Sequence, residues 1–136
     1  LGFSFKANTN DYRESPSIQI CKDLLDEGAK LAIYDPKVEW SQIKNCLDLN
    51  EQLGLNKNNN ITGSFESSSS VLNSVKGADA LIVLTEWDEF KYLNWEDISS
   101  QMRSPSWLFD SRNITNVEEA KSFGLNVWQL GVEDEI

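Results

Sequence analysis

Apolar side chains recur along this chain in two alternating ways. Short continuous runs, the mark of buried strands, are separated by stretches in which they return every three or four residues, the mark of helices. Leu1 to Phe5 reads as a short strand. Ser15 is a good N-cap and Pro16 a favoured first helical residue. Ile18, Cys21 and Leu25 then share one helical face, with Ile20 and Leu24 beside it, and Gly28 is placed to stop the helix. Lys30 to Tyr34 is a second strand, closed by Asp35-Pro36. Trp40 to Leu49 reads as a helix, Asn56 to Asn60 as a polar loop, and Ile61 to Phe65 as a short strand. Ser67 to Ser70 reads as the first turn of a helix that Val71, Leu72 and Val75 continue as far as Gly77. Ala80 to Thr85 is the strongest strand, apolar without alternation, as a central parallel strand covered on both faces would be. A helix over Trp95–Met102, a strand over Ser106–Asp110, a helix over Val117–Phe123 and a strand over Asn126–Leu130 complete the series.

Strands alternating with helices predict an α/β fold, a Rossmann-like three-layer αβα domain with a mainly parallel sheet. Right-handed crossovers then put helices on both faces. The 136 residues fit a single domain and can bury one substantial core. Five tryptophans and an apolar fraction of 40% argue for a folded chain. The net charge of −10 argues against nucleic acid and anionic membrane as partners, since both need a basic field. No apolar run approaches the roughly 20 residues of a membrane span, and the first residues lack the features of a signal peptide. Cys21 and Cys46 make no disulfide framework, which fits a cytoplasmic setting. Without histidine, zinc sites and histidine-based catalysis are not expected. The opening at Leu1, already within an apparent strand, gives the look of a piece cut from a longer protein.

Ligands of open α/β sheets bind beyond the carboxyl ends of the strands. Those ends carry Lys6, Tyr34-Asp35, Thr85-Glu86-Trp87 and Asp110-Ser111-Arg112, with Arg13 on the loop that leaves the first strand. Three cations at one edge of so acidic a chain make a cradle for a phosphate-bearing ligand. Arginine grips phosphate through paired hydrogen bonds, lysine as a compact charge. Plainer roles remain open for each. Lys6 can be a solvated loop lysine, Arg13 can pair with Asp11 or Glu14, and Arg112 can bond Asp110 or a helix end. Trp87 and Phe90 read as packing residues. Cys21 lies on an apolar helix stripe and Cys46 has no identifiable base near it in sequence, so neither reads as a nucleophile. No strand is followed by Gly-x-Gly-x-x-Gly, so this is not the usual pyrophosphate-binding half of a dinucleotide fold.

Five blocks in order along the chain resemble the C-terminal domain of the UDP-glucose dehydrogenase family. They are Gly2-Phe3-Ser4-Phe5-Lys6, Asp11-Tyr12-Arg13-Glu14-Ser15, Asp26-Glu27-Gly28-Ala29 continuing to Tyr34-Asp35-Pro36-Lys37-Val38, Thr85-Glu86-Trp87-Asp88-Glu89-Phe90, and Phe109-Asp110-Ser111-Arg112. The resemblance implies that residues 1–136 are one UDP-sugar-binding domain of a longer, NAD-dependent enzyme that oxidises UDP-glucose to UDP-glucuronate with two NAD. It implies that Phe5, Lys6 and Arg112 contact UDP-glucose, and that Arg13 reaches NAD held mainly by a separate N-terminal domain. The family's catalytic cysteine has no counterpart here, so the chain alone is expected to be inactive, and the full enzyme is expected to be a homo-oligomer. Ser111 and Asn113 depart from the family, standing where many relatives have glycine and a second basic residue. Two alternatives stay open: the same domain of a GDP-mannose or UDP-N-acetylhexosamine dehydrogenase, and a stand-alone, non-catalytic α/β binding module.

Overall fold

A computed structural model of the chain describes residues 1–4, 15–52 and 63–131. The order of elements is α1 (Pro16–Asp26), β1 (Lys30–Ile33), α2 (Trp40–Gln52), β2 (Ser64–Ser67), α3 (Val71–Val75), β3 (Ala80–Val83), a 3-10 turn (Asp88–Tyr92), α4 (Trp95–Gln101), β4 (Trp107–Asp110), α5 (Val117–Ser122) and β5 (Asn126–Gln129). Every strand pairing among the described residues is parallel. β1 pairs with β2, and β3, β4 and β5 follow one another in that order.

The opening segment joins these two sets. The Leu1 main-chain nitrogen donates to the Ile82 carbonyl, while the Leu84 N–H donates to the Leu1 carbonyl at 2.9 Å. That alternation is the parallel ladder pattern, and it sets Leu1 beside Val83. On the other side the Gly2 N–H donates to the Tyr34 carbonyl at 2.7 Å. Leu1 and Gly2 therefore lie between β1 and β3, and the spatial order is β2, β1, opening segment, β3, β4, β5. The α/β fold with parallel strands is as the sequence predicts. Of the predicted strand over Leu1–Phe5, Leu1 and Gly2 carry ladder bonds, Ser4 lies in a bend, and Phe5 lies outside the described residues.

Gly2 is required where it stands. Its φ is +88°, and a β-carbon there would meet the Thr85 side chain at 2.5 Å. Two apolar clusters fill the layers. Phe3, Cys21, Leu25, Ile33, Val38, Ile43 and Leu47 join α1 and α2 to β1. Leu1, Val75, Leu81, Val83, Phe90, Trp95, Ile98, Leu108 and Ala120 join α3, α4 and α5 to β3 and β4. β1 contributes Ile33 to the first cluster, while Tyr34, one residue on, packs against the second, so the clusters lie on opposite faces.

Some predicted boundaries shift. Ser67–Ser70 is not a first helical turn: Ser67 ends β2, and Ser70 caps α3 by accepting the Asn73 N–H at 3.1 Å. β3 ends at Val83, not Thr85, and it is not covered equally on both faces. Leu81 and Val83 are buried, whereas Ala80 is exposed and Ile82 half-buried. Asn56–Asn60 and Ile61 lie outside the described residues.

Candidate functional site at the carboxyl ends of the strands

The opening segment leads through Ser15 into α1 on one face, and β3 leads to α4 on the other. The strand order therefore reverses between the opening segment and β3, although the strands stay parallel, and the crevice of an open α/β sheet forms at such a point. Its floor is built by hydrogen bonds between strand ends. The Thr85 hydroxyl donates to the Ser4 carbonyl at 2.9 Å, and the Ser15 hydroxyl donates to the same carbonyl at 3.4 Å. Ser15 also caps α1, accepting the Ser17 N–H. Ser4, Ser15 and Thr85 are all buried.

Asp35 ends the β1 side of the crevice. Its Oδ2 accepts the Phe3 N–H at 2.7 Å, the Ser4 N–H at 3.0 Å and the Trp87 indole N–H at 3.3 Å. Its Oδ1 accepts the N–H groups of Lys37 and Val38 at 2.8 and 2.9 Å. Burial pushes this carboxyl up, but the N–H groups of Phe3, Lys37, Val38 and Ser4 outweigh it and hold the carboxyl below its ordinary range. Next to it, the Tyr34 hydroxyl donates to Glu89 at 3.0 Å, and burial together with this bond pushes the phenol up to about 12.

Asp110 ends β4 and is fully buried. Its Oδ1 accepts the N–H groups of Arg112 and Asn113, and its Oδ2 accepts the N–H groups of Ile114 and Thr115 and the Thr115 hydroxyl. Burial raises its pKa, yet the Thr115 and main-chain bonds prevail and lower it. The carboxylate thus folds the turn that presents Arg112. Asn113 takes a left-handed conformation in that turn, with φ at 58°.

Arg112 does not turn its side chain toward Asp110. Its Nε donates to the Leu84 carbonyl at 3.0 Å, and its Nη1 lies 3.2 Å from a Glu86 carboxylate oxygen. The guanidinium therefore bridges the ends of β4 and β3 at the crevice. The two side chains are 33% and 38% exposed, so water screens the pair and it holds the arginine weakly.

Of the residues predicted to form the site, Arg112 is at the rim. Phe5, Lys6 and Arg13 lie outside the described residues. Asp35 and Thr85 were named in the sequence only as strand ends, because their partners are 32 and 81 residues away. Trp87 is a packing residue, as read, and also an N–H donor to Asp35. Burial pushes the Cys21 thiol up to about 11 and also raises Cys46, which leaves both poor nucleophiles at neutral pH. A cavity of about 470 Å³ runs beneath α1 along β1 and β3, lined by Leu1, Cys21, Leu31 and Ala80 among others. Ser4, Asp35, Thr85 and Arg112 do not line it. Among the described residues no cluster of acidic and sulfur ligands could hold a metal ion, and no helix is long and apolar enough to cross a membrane.

Residues 1–117 match the UDP-binding domain of the UDP-glucose/GDP-mannose dehydrogenase family. The chain belongs to this family. It is 46% identical to a UDP-glucose 6-dehydrogenase of Gallus gallus, with 96% of this chain and 26% of that protein aligned. It is 40% identical to UDP-glucose 6-dehydrogenase 4 of Arabidopsis thaliana, with 96% of the chain and 28% of that protein aligned. The chain thus spans little more than a quarter of these dehydrogenases. Among solved structures, a UDP-D-ManNAc dehydrogenase of Pyrococcus horikoshii shares the fold, with a TM-score of 0.56 at 22% identity, over 96% of this chain and 24% of that one.

The dehydrogenases of this family use NAD. A dinucleotide fold offers an acidic side chain at the end of its second strand to the ribose. Asp35 occupies that place, and both its oxygens are turned inward onto N–H groups.

Proposed function

We propose that this chain is the nucleotide-sugar-binding domain of an NAD-dependent UDP-glucose 6-dehydrogenase. The observation that carries the reading is the Arg112 guanidinium, aimed across the reversal point of a family UDP-binding domain. Arg112 would pair with the diphosphate, where two parallel N–H donors match two phosphate oxygens. Phe5 and Lys6, which follow Ser4 directly, would complete the sugar-nucleotide contacts, and Arg13 would reach NAD held by another domain of the enzyme. NAD supplies the hydride acceptor in the two oxidations that turn the C6 alcohol into a carboxylate. This chain's part is to bind and orient: fixing the nucleotide removes the freedom of the sugar before reaction. The same reading makes the enzyme cytoplasmic and homo-oligomeric, with residues 1–136 as one domain that is inactive by itself.

The family name covers both UDP-glucose and GDP-mannose, and the named relatives at 40 and 46% identity favour UDP-glucose. The test is turnover by the complete dehydrogenase that carries this chain, given UDP-glucose, GDP-mannose and UDP-N-acetylmannosamine with NAD. UDP-glucose is expected to be oxidised with the highest kcat/KM; preference for either other donor overturns the assignment. Lys6→Ala and Arg112→Ala are each expected to raise the KM for UDP-glucose by roughly tenfold, the loss of one charge-assisted phosphate contact. Arg13→Ala is expected to act mainly on the KM for NAD. Unchanged values for Lys6→Ala and Arg112→Ala would remove the proposed site.

A further inference from the structure

We propose that Asp35 is a positioning residue for the nucleotide-sugar site, setting where the chain leaves the first strand. The inference rests on the nucleotide-sugar reading but is drawn from hydrogen bonds among described residues alone. Asp35 gathers three separate stretches: the opening segment through Phe3 and Ser4, its own turn through Lys37 and Val38, and the exit of β3 through the Trp87 indole. The Ser4 residue is held from both ends. Asp35 accepts its N–H, and Thr85 and Ser15 donate to its carbonyl. These bonds fix the orientation of Ser4.

The other rim is tied to the same support. Arg112 Nε donates to the Leu84 carbonyl, and the Leu84 N–H donates to Leu1. Leu84 and Thr85 therefore hold both the Ser4 exit and the Arg112 side chain, which fixes the separation of the two rims. Sites of this kind depend on the groups behind the contacting ones, because a displacement of 1 Å at the contact is costly. Asparagine cannot replace Asp35 there. Its single carbonyl oxygen faces five N–H donors, and its amide N–H₂ would point at some of them.

The experiment is an equilibrium titration with UDP of the complete dehydrogenase that carries this chain, joined to amide hydrogen exchange without ligand. Asp35→Asn is compared with Ile98→Ala, a core change in α4 remote from the crevice. Asp35→Asn is expected to raise the Kd for UDP by roughly tenfold or more, while Ile98→Ala lowers stability and leaves Kd within about twofold. Equal effects of the two variants would overturn the proposal, since Asp35 would then matter only through general stability. Where Asp35→Asn fails to fold, Thr85→Val and Trp87→Phe carry the test, each expected to weaken UDP binding by a smaller factor; no change in either overturns it. Absence of UDP binding by the unaltered enzyme would retire the nucleotide reading of this domain. The exchange data would then decide Asp35 alone: selective loss of protection at Phe3 and Ser4 in Asp35→Asn supports positioning, and unchanged protection overturns it.

Discussion

At the residue scale, Asp35 and Asp110 do the same physical work at two strand ends. Each carboxylate replaces water with main-chain N–H groups, and each is held below the ordinary carboxylate range despite burial. The folded pKa of each lies beneath its unfolded value, so the unfolded chain binds the proton more readily. Their stabilisation is therefore complete above the unfolded value, about 4, and is lost as pH falls through the folded pKa. Urea unfolding followed from pH 7 down to 2 is expected to show stability falling steeply below pH 4. Asp110→Asn is expected to be less stable at pH 7 and to show a shallower fall, the mark that this carboxylate is one of the groups responsible. The sequence made part of this legible. Arg112 is found at a strand end because a short apolar run stops just before it, and local pattern suffices for that. The use of Asp35 was not legible, since Asp35-Pro36 reads only as a turn while its partners Phe3 and Trp87 lie 32 and 52 residues distant.

At the scale of elements, end signals decide most of the boundaries. α1 runs from Pro16, just after the Ser15 cap, to Asp26, and Gly28 follows with φ at 87° as a left-handed stop. Ser15 is tied both to its helix and to Ser4, so Ser15→Ala is expected to cost about 1–2 kcal/mol in urea unfolding, the upper part of the N-cap range. Ser70→Ala, which removes only the half-buried cap of α3, is expected to cost less, about 0.5–1 kcal/mol. The serine run shows where local reading stops. Ser67 to Ser70 has one composition but two roles, since Ser67 pairs with Ile33 in β2 and Ser70 turns the chain into α3. Nothing in the run itself marks the division; the parallel register with β1 imposes it. The 3-10 turn over Asp88–Tyr92 was likewise missed, because five residues are too few for a period to be read. Its Phe90 is fully buried against the second cluster, and this burial, rather than local preference, fixes the turn.

At the scale of the whole molecule, the β1–β2 pair and the β3–β5 sheet meet along a narrow seam. Leu1 and Gly2 bridge β1 and β3 through main-chain bonds, Tyr34 packs edge-on against Phe90 at 6.2 Å, and Asp35 bonds to Trp87. β4 is flanked by a strand on each side, whereas β2 is exposed along most of its length. Hydrogen exchange is therefore expected to be slowest for residues 81–83 and 108–110 and faster for residues 64–67, with the β1–β2 half opening at lower free energy. Uniform protection across the two halves would show instead that the seam makes them one cooperative unit. The seam also gives the chain an optical property. Trp87 stands in it with its indole nitrogen bonded to a carboxylate, beside the Ser4 end of the crevice, while Trp95 is buried in α4 at 1% exposure. Trp107 and Trp128, by contrast, are 41% and 42% exposed on either side of Phe109. Indole emission depends on the polarity and charge around the ring, so this molecule carries one fluorophore at its crevice, another sealed in its interior, the half-buried Trp40 against Phe65, and two facing water that a soluble quencher reaches first.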